Sequence, residues 1–389
     1  MKRIALLGST GSIGTSTLDV IEHLGDRVQV VSLAAGSNWQ LLARQARQFR
    51  PELVALADGR ALPQLTSALA DTGIHVQSGP EALKAAASIA SADIVVVAVV
   101  GAVGLPASFA ALEAVKTLAL ANKESLVMAG ELLTTLAHQK GVEIIPIDSE
   151  HSAIHQCLRS GRSDEVDRIV LTASGGPFRR FSRFDLTRVT PEMALRHPTW
   201  NMGAKVTIDS ATLTNKALEI IEAHWLFGVP AEEIEVLVHP ECIVHSMVEF
   251  RDGSTVAQLG LPDMRVPIQY ALTYPDRLPR QTERLDLATL KSLTFEPPDT
   301  GRFPGLLLGW RAAREGGTAG AVLSAANEVA VDLFLNRRIR FTDITPLAVR
   351  TLDSHHTTHP GSVEDVLEAD RWAREKTLAL AGSREPPHH

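Results

Sequence analysis

Over residues 1–148 the chain alternates short apolar runs with longer amphipathic stretches. Runs at 3–7, 28–34, 53–57, 94–99, 117–120 and 142–147 have strand length, while 15–23 and 38–48 repeat their apolar residues at helical spacing. Strands separated by helical crossovers predict a parallel sheet, because parallel neighbours need a long return connection. After Asp148 the pattern changes. Residues 168–171, 235–238, 246–250 and 255–259 read as strands, the last two joined by a turn at Asp252-Gly253. Residues 278–302 turn to Pro, Thr and Asp, with Pro297-Pro298-Asp299, and read as a linker. Residues 303–378 are helical in period, and the tail 379–389 is expected to be disordered.

Composition narrows the class. A chain of 389 residues, 45% hydrophobic and 21% charged, is a globular protein of two or three domains. A net charge of −7 argues against nucleic acid or an anionic membrane as partner. Cys157 and Cys242 are the only cysteines, too few for a disulfide framework or zinc ribbon, and a cytoplasmic location fits. The apolar run at 4–7 is too short for a signal peptide. The run at 94–105 is broken by Gly101 and Gly104 and stopped by Pro106, too short to span a bilayer.

The first candidate chemistry is Gly8-Ser9-Thr10-Gly11-Ser12-Ile13-Gly14, between the first strand and the first helix. Glycines there let backbone approach a pyrophosphate, and the helix N-terminus offers unpaired N–H groups. The spacing is G-x-x-G-x-x-G, and the Gly-Lys-Ser/Thr of a P-loop is missing. The second strand ends in Ala35-Gly36-Ser37-Asn38 without the acid that grips a free ribose hydroxyl, and Arg44 follows on the next helix. That favours NADPH over NADH; Ser37-Asn38 also reads as a helix N-cap.

The second is Asp148-Ser149-Glu150. If the strand runs through them, residues i and i+2 present two carboxylates on one side, and oxygen ligands suit Mg²⁺ or Mn²⁺. The segment 209–219 reads as one helix starting at Asp209 or Ser210, with Asn215 and Glu219 on one face. Ser174-Gly175-Gly176 is a second glycine loop suited to an anion. His197-Pro198-Thr199-Trp200-Asn201-Met202-Gly203 has the composition of a closing loop.

Taken together, these motifs resemble the 1-deoxy-D-xylulose 5-phosphate reductoisomerase family. The matching text also includes Ala121-Asn-Lys-Glu-Ser125, His239-Pro240 with His245-Ser-Met247, and Ala325-Ala-Asn-Glu328. The resemblance implies an α/β protein: a Rossmann-like NADPH domain (1–148), a central α/β catalytic domain with a mobile loop (149–277), and a C-terminal helical bundle beyond the linker. It implies NADPH contacts at Thr10, Gly11, Ser12, Ile13, Gly36, Ser37, Asn38, Asn122, Glu124 and Gly203. Asp148, Glu150 and Glu219 would hold Mg²⁺ or Mn²⁺. Lys123, Ser149 and Glu150 would approach the reacting oxygens, and Ser174, His197, Ser210, Asn215 and Lys216 the phosphate. Trp200 and Met202 would lie in the closing loop. The catalytic set is Lys123, Asp148, Glu150, His197 and Glu219; the substrate is a small phosphorylated sugar and the assembly a homodimer. Three residues depart from the family pattern: Ser37 stands where some members carry Lys, Ala217 replaces a frequent Gly, and Cys242 replaces a hydroxyl residue.

Two other classes compete. A semialdehyde dehydrogenase needs a catalytic cysteine, and neither Cys157 nor Cys242 has that context. A dinucleotide sensor would keep the glycine turn but has no use for three carboxylates.

Overall fold

The computed structural model describes residues 1–196, 198–200 and 202–382. The chain forms two compact units. One comprises Met1–Ser125, Leu133–Ser152 and Asp263–Glu283; the other comprises Leu126–Leu132, Ala153–Pro262 and the chain from Arg284 onward.

The first unit is built on strands β1 (Lys2–Leu7), β2 (Val28–Ala35), β3 (Leu53–Leu56), β4 (His75–Ser78), β5 (Ile94–Val97), β6 (Thr117–Leu120) and β7 (Ile144–Pro146). All neighbours are parallel, in the order β4-β3-β2-β1-β5-β6-β7. The central strands carry apolar residues on both faces, as a sheet covered by helices requires. Ile4, Leu6, Leu33, Val54, Ile94 and Val96 pack with Leu18, Ile21 and Leu42 of the helices Ser12–Leu24 and Trp39–Phe49. Burying one such side chain stabilises the fold by about 1.5–3 kcal/mol. The edge strand β4 went unpredicted because His75-Val-Gln-Ser is polar and mostly half-buried, so it carries no apolar run. The chain order reverses between β1 and β5, the place where open parallel sheets form a ligand crevice beyond their strand ends.

In the second unit β8 (Val166–Ala173), β9 (Ile234–Val238), β10 (Val244–Phe250) and β11 (Thr255–Leu259) form a mixed sheet in the order β11-β10-β8-β9. β10 runs antiparallel to β8 and β11, and β8 parallel to β9. The predicted turn is present: Gly253 has φ +86°, and Asp252 Oδ1 accepts from Ser254 N at 2.9 Å. One core joins Ile169, Leu171 and Val236 to Ile208, Ile220, Val331 and Phe334. Part of 278–302 is tied down, since Glu296 and Val238 exchange backbone hydrogen bonds at 2.8 and 2.9 Å. The last helix runs Val363–Gly382, so 379–382 are helical rather than tail; 383–389 lie outside the described residues.

Candidate active site

Beyond β1 the glycine turn leads into the helix Ser12–Leu24, whose N-cap is Gly11, with no side chain closing it and no acidic residue in its first turn. Its N–H groups therefore remain for an anion. Gly14 is required by close approach: a Cβ there would lie 2.1 Å from Gly8 O and 2.5 Å from Ser9 Cα. The buried Ser9 ties the turn to the next helix, its Oγ donating to Gln45 Oε1 at 2.8 Å while Gln45 Nε2 donates to Ser9 O at 2.9 Å. Thr10, Gly11, Ser12 and Ile13 keep some exposure, and Gly36, Ser37 and Asn38 are exposed beyond β2. Asn38 Oδ1 accepts from Leu41 N at 3.1 Å, so the N-cap reading holds for that residue.

The geometry at Asp148 differs from the strand-end expectation. β7 stops at Pro146 and a helix starts at Ser149. Ser152 N donates to Asp148 O at 2.8 Å, and Glu150 N to Asp148 Oδ1 at 3.3 Å. A helix opening, not a two-residue strand repeat, thus presents these groups, and an oxygen of each carboxylate still lies within 4.8 Å of the other. Burial alone would raise the Asp148 pKa. Lys123 Nζ, 2.7 Å from Asp148 Oδ2, and His151 together outweigh it and hold this carboxyl well below the ordinary range. Lys123 begins the helix Lys123–Lys140, capped by Asn122, just past β6.

The second unit gathers the anion-binding candidates. The segment 209–219 is not one helix. The helix Ala204–Thr212 ends at Leu213, in the left-handed region with φ 60°, and a new one runs Thr214–Phe227. Asp209 is therefore a buried residue inside a helix, not its start. Asn327 Nδ2 donates to its Oδ1 at 2.7 Å, and Lys205 Nζ forms an ion pair with its Oδ2 at 2.9 Å. The glycine loop beyond β8 presses against this helix: a Cβ on Gly176 would sit 2.7 Å from Ser210 O. Ser174 Oγ accepts from Gly176 N at 3.1 Å. On the following helix Asn215 and Lys216 both donate to Glu219. The Lys216 and Glu219 side chains are only 4% and 1% exposed. Trp200 lies 6.4 Å, centroid to centroid, from His245, whose pKa is lowered by burial and, in the same direction, by Lys216. Met202 is half-buried and Gly203 exposed. His197 lies outside the described residues.

Several supporting residues had no role assigned to them by the sequence. His151 is fully buried, with Nδ1 3.6 Å from Asp148 Oδ1. Gln45 and Asn327 are polar residues within apolar helical faces, and that isolation is the signal that marks them. His239 is structural: Nε2 accepts from Ile243 N at 3.1 Å and the ring stacks on Phe295 at 4.7 Å.

The fold and the two sets of groups define a dinucleotide-binding α/β protein with a second, carboxylate- and lysine-bearing centre. The chain matches the family pattern of 1-deoxy-D-xylulose 5-phosphate reductoisomerase at residues 4–130, and two C-terminal domain patterns of the same enzyme at 144–227 and 259–376. It is 53% identical to the reductoisomerase of Pelotomaculum thermopropionicum, covering 96% of this chain and 97% of that one. It is 50% identical to the Chlorobaculum tepidum reductoisomerase, covering 98% and 100%. The Zymomonas mobilis reductoisomerase in complex with NADPH superposes with a TM-score of 0.93 at 45% identity, over 98% of this chain and 100% of that one. A reductoisomerase in complex with NADPH, fosmidomycin and magnesium gives 0.92 at 39% identity, over 98% of both. The chain belongs to the 1-deoxy-D-xylulose 5-phosphate reductoisomerase family.

Proposed function

We propose that this enzyme converts 1-deoxy-D-xylulose 5-phosphate into 2-C-methyl-D-erythritol 4-phosphate, in the methylerythritol phosphate route to isoprenoids, using NADPH and Mg²⁺ or Mn²⁺. The observation that carries the metal-dependent part is Asp148, nearly buried yet held ionised by Lys123, with a Glu150 oxygen nearby. Hard anionic oxygens suit a hard divalent cation. Asp148, Glu150 and Glu219 are the proposed metal ligands. When bound, such an ion supplies Lewis acidity to the substrate's carbonyl and neighbouring hydroxyl. NADPH supplies the hydride.

The chain's own groups do the rest. Thr10, Gly11, Ser12 and Ile13 offer N–H and hydroxyl donors to the pyrophosphate, and Gly36, Ser37 and Asn38 flank the adenosine phosphate. Asn122, Glu124 and Gly203 complete the cofactor site. Lys123 and Ser149 donate to the reacting oxygens beside Glu150. Ser174, His197, Ser210, Asn215 and Lys216 grip the phosphate, whose binding energy favours closure of Trp200 and Met202 over the substrate. A homodimer is part of the proposal, supported by the half-exposed strand β11 at the end of the second sheet. A cytoplasmic location is supported by the scarcity of cysteine, with Cys157 and Cys242 both buried; among the described residues no helix is long and apolar enough to cross a membrane.

The test follows NADPH absorbance with 1-deoxy-D-xylulose 5-phosphate, with and without chelator. Oxidation that stops with chelator and returns on adding Mg²⁺ or Mn²⁺ is expected. NADPH binding without turnover would leave a sensor in place of an enzyme.

A further inference from the structure

Asn122 is attributed to the cofactor site, yet its side chain is committed elsewhere. Its Nδ2 lies 2.9 Å from Val99 O, 3.0 Å from Gly101 O and 3.0 Å from Glu124 Oε2. Its Oδ1 accepts from Ser125 N at 3.1 Å and from Ser125 Oγ. A primary amide has two N–H donors and one carbonyl oxygen, so these bonds leave nothing for a ligand. Asn122 is 1% exposed. Ser125 Oγ in turn meets Ser108 Oγ at 3.2 Å, and Ser108 Oγ donates to Gly104 O at 3.0 Å.

The segment so held is the loop after β5. It leaves the sheet where the strand order reverses, and it presents Val100 and Val103, 62% and 58% exposed. Exposed valines on a loop held by buried hydrogen bonds offer apolar surface for a flat ring. The contact from beneath is tight: a Cβ on Gly104 would lie 2.5 Å from Asn122 Oδ1 and 3.0 Å from Val99 Cγ2. An amide bonded on every side cannot swing away to make room.

We propose that Asn122 is a positioning residue: its amide clamps the loop 99–104 and fixes Val100 and Val103 as the apolar seat for the nicotinamide end of the cofactor. Gly104 is the matching half of the clamp. This rests on reading the first unit as the NADPH site.

A double-mutant cycle tests it. Asn122→Ala and Gly104→Ala are each expected to raise the NADPH Kd by roughly tenfold, the scale of losing a buried hydrogen-bonded contact. Backbone amide exchange of 99–103 should quicken in both apoproteins, and kcat at saturating NADPH should fall far less than Kd rises. The double variant should be no weaker than either single one, because deleting the Asn122 side chain makes room for the new methyl. Multiplicative losses, or Gly104→Ala with unchanged Kd and unchanged exchange, would overturn the clamp. If Asn122→Ala does not fold, the Kd and exchange of Gly104→Ala decide between keeping the clamp and abandoning it. Failure of the parent protein to bind NADPH would instead sink the cofactor reading itself.

Discussion

On the proposed assignment, the two units recognise anions by opposite means. In the first the turn 8–14 offers backbone N–H groups at an open helix end and carries no charged side chain. In the second, the phosphate candidate Lys216 lies against the carboxylate of Glu219, both almost fully removed from water. A backbone site is sensitive to added volume and indifferent to most side-chain chemistry. A site of buried charges is sensitive to any unpaired partner. Charge deletions should therefore dominate in the second unit and Cβ additions in the first.

The largest effect is expected from Glu219→Gln. A helix accepts glutamine readily, and the sequence alone predicts a folded, inactive protein. The buried Lys216 changes that expectation, because the substitution takes away the carboxylate that its ammonium bonds. Breaking a buried pair costs about 3–5 kcal/mol, so Tm should fall together with a loss of turnover exceeding about a hundredfold. Replacing both partners, Lys216→Met with Glu219→Leu, should recover Tm but no activity. A Glu219→Gln protein of unchanged Tm would mean that the pair opens to water. Next comes Gly14→Ala. Its methyl meets Gly8 O at 2.1 Å, and overpacking of this kind costs about 1–3 kcal/mol. NADPH Kd should rise on the order of ten- to a hundredfold, and binding as tight as the parent's would show that the turn is slack.

Asn327→Ala gives a smaller effect in the second unit. It removes the donor on Asp209 Oδ1 while Lys205 remains on Oδ2. A buried acceptor left unmade costs about 1–3 kcal/mol, read as lower Tm. Because Ser210 follows Asp209, KM for the phosphorylated substrate should rise while NADPH Kd stays put. Equal damage to both would show that this contact supports the fold generally.

The same contrast explains what the sequence reveals. The parallel sheet was legible because β1, β2, β3, β5 and β6 are mostly apolar runs, and the glycine turn because all its parts are adjacent. The Asp148 geometry misled, since strand and helix differ there only by where Pro146 ends the ladder. The break at Leu213 was hidden because a leucine at φ 60° carries no breaker signal. Asp209 with Asn327, 118 positions apart, and Asn122 with Gly101 and Gly104 are tertiary contacts, and no local pattern encodes them.

The smallest effect is also the sharpest test of the backbone site. Ser37 stands exposed beyond β2, where some members of the family carry lysine, and the neighbouring Asn38 is occupied as an N-cap. Ser37→Lys would add a cation where the adenosine phosphate is expected. An exposed ion pair contributes about 0.2–1 kcal/mol, so the NADPH KM should drop by no more than about fivefold. The gain should shrink as salt rises, because surface charges are screened within about 8–10 Å. NADH lacks the extra phosphate, and its KM should hardly move. A parallel improvement for both cofactors would place the new ammonium on the pyrophosphate rather than on the ribose phosphate. No change at all would mean that backbone and hydroxyl donors already saturate that phosphate, and that the first unit needs no charge even at its most anionic contact.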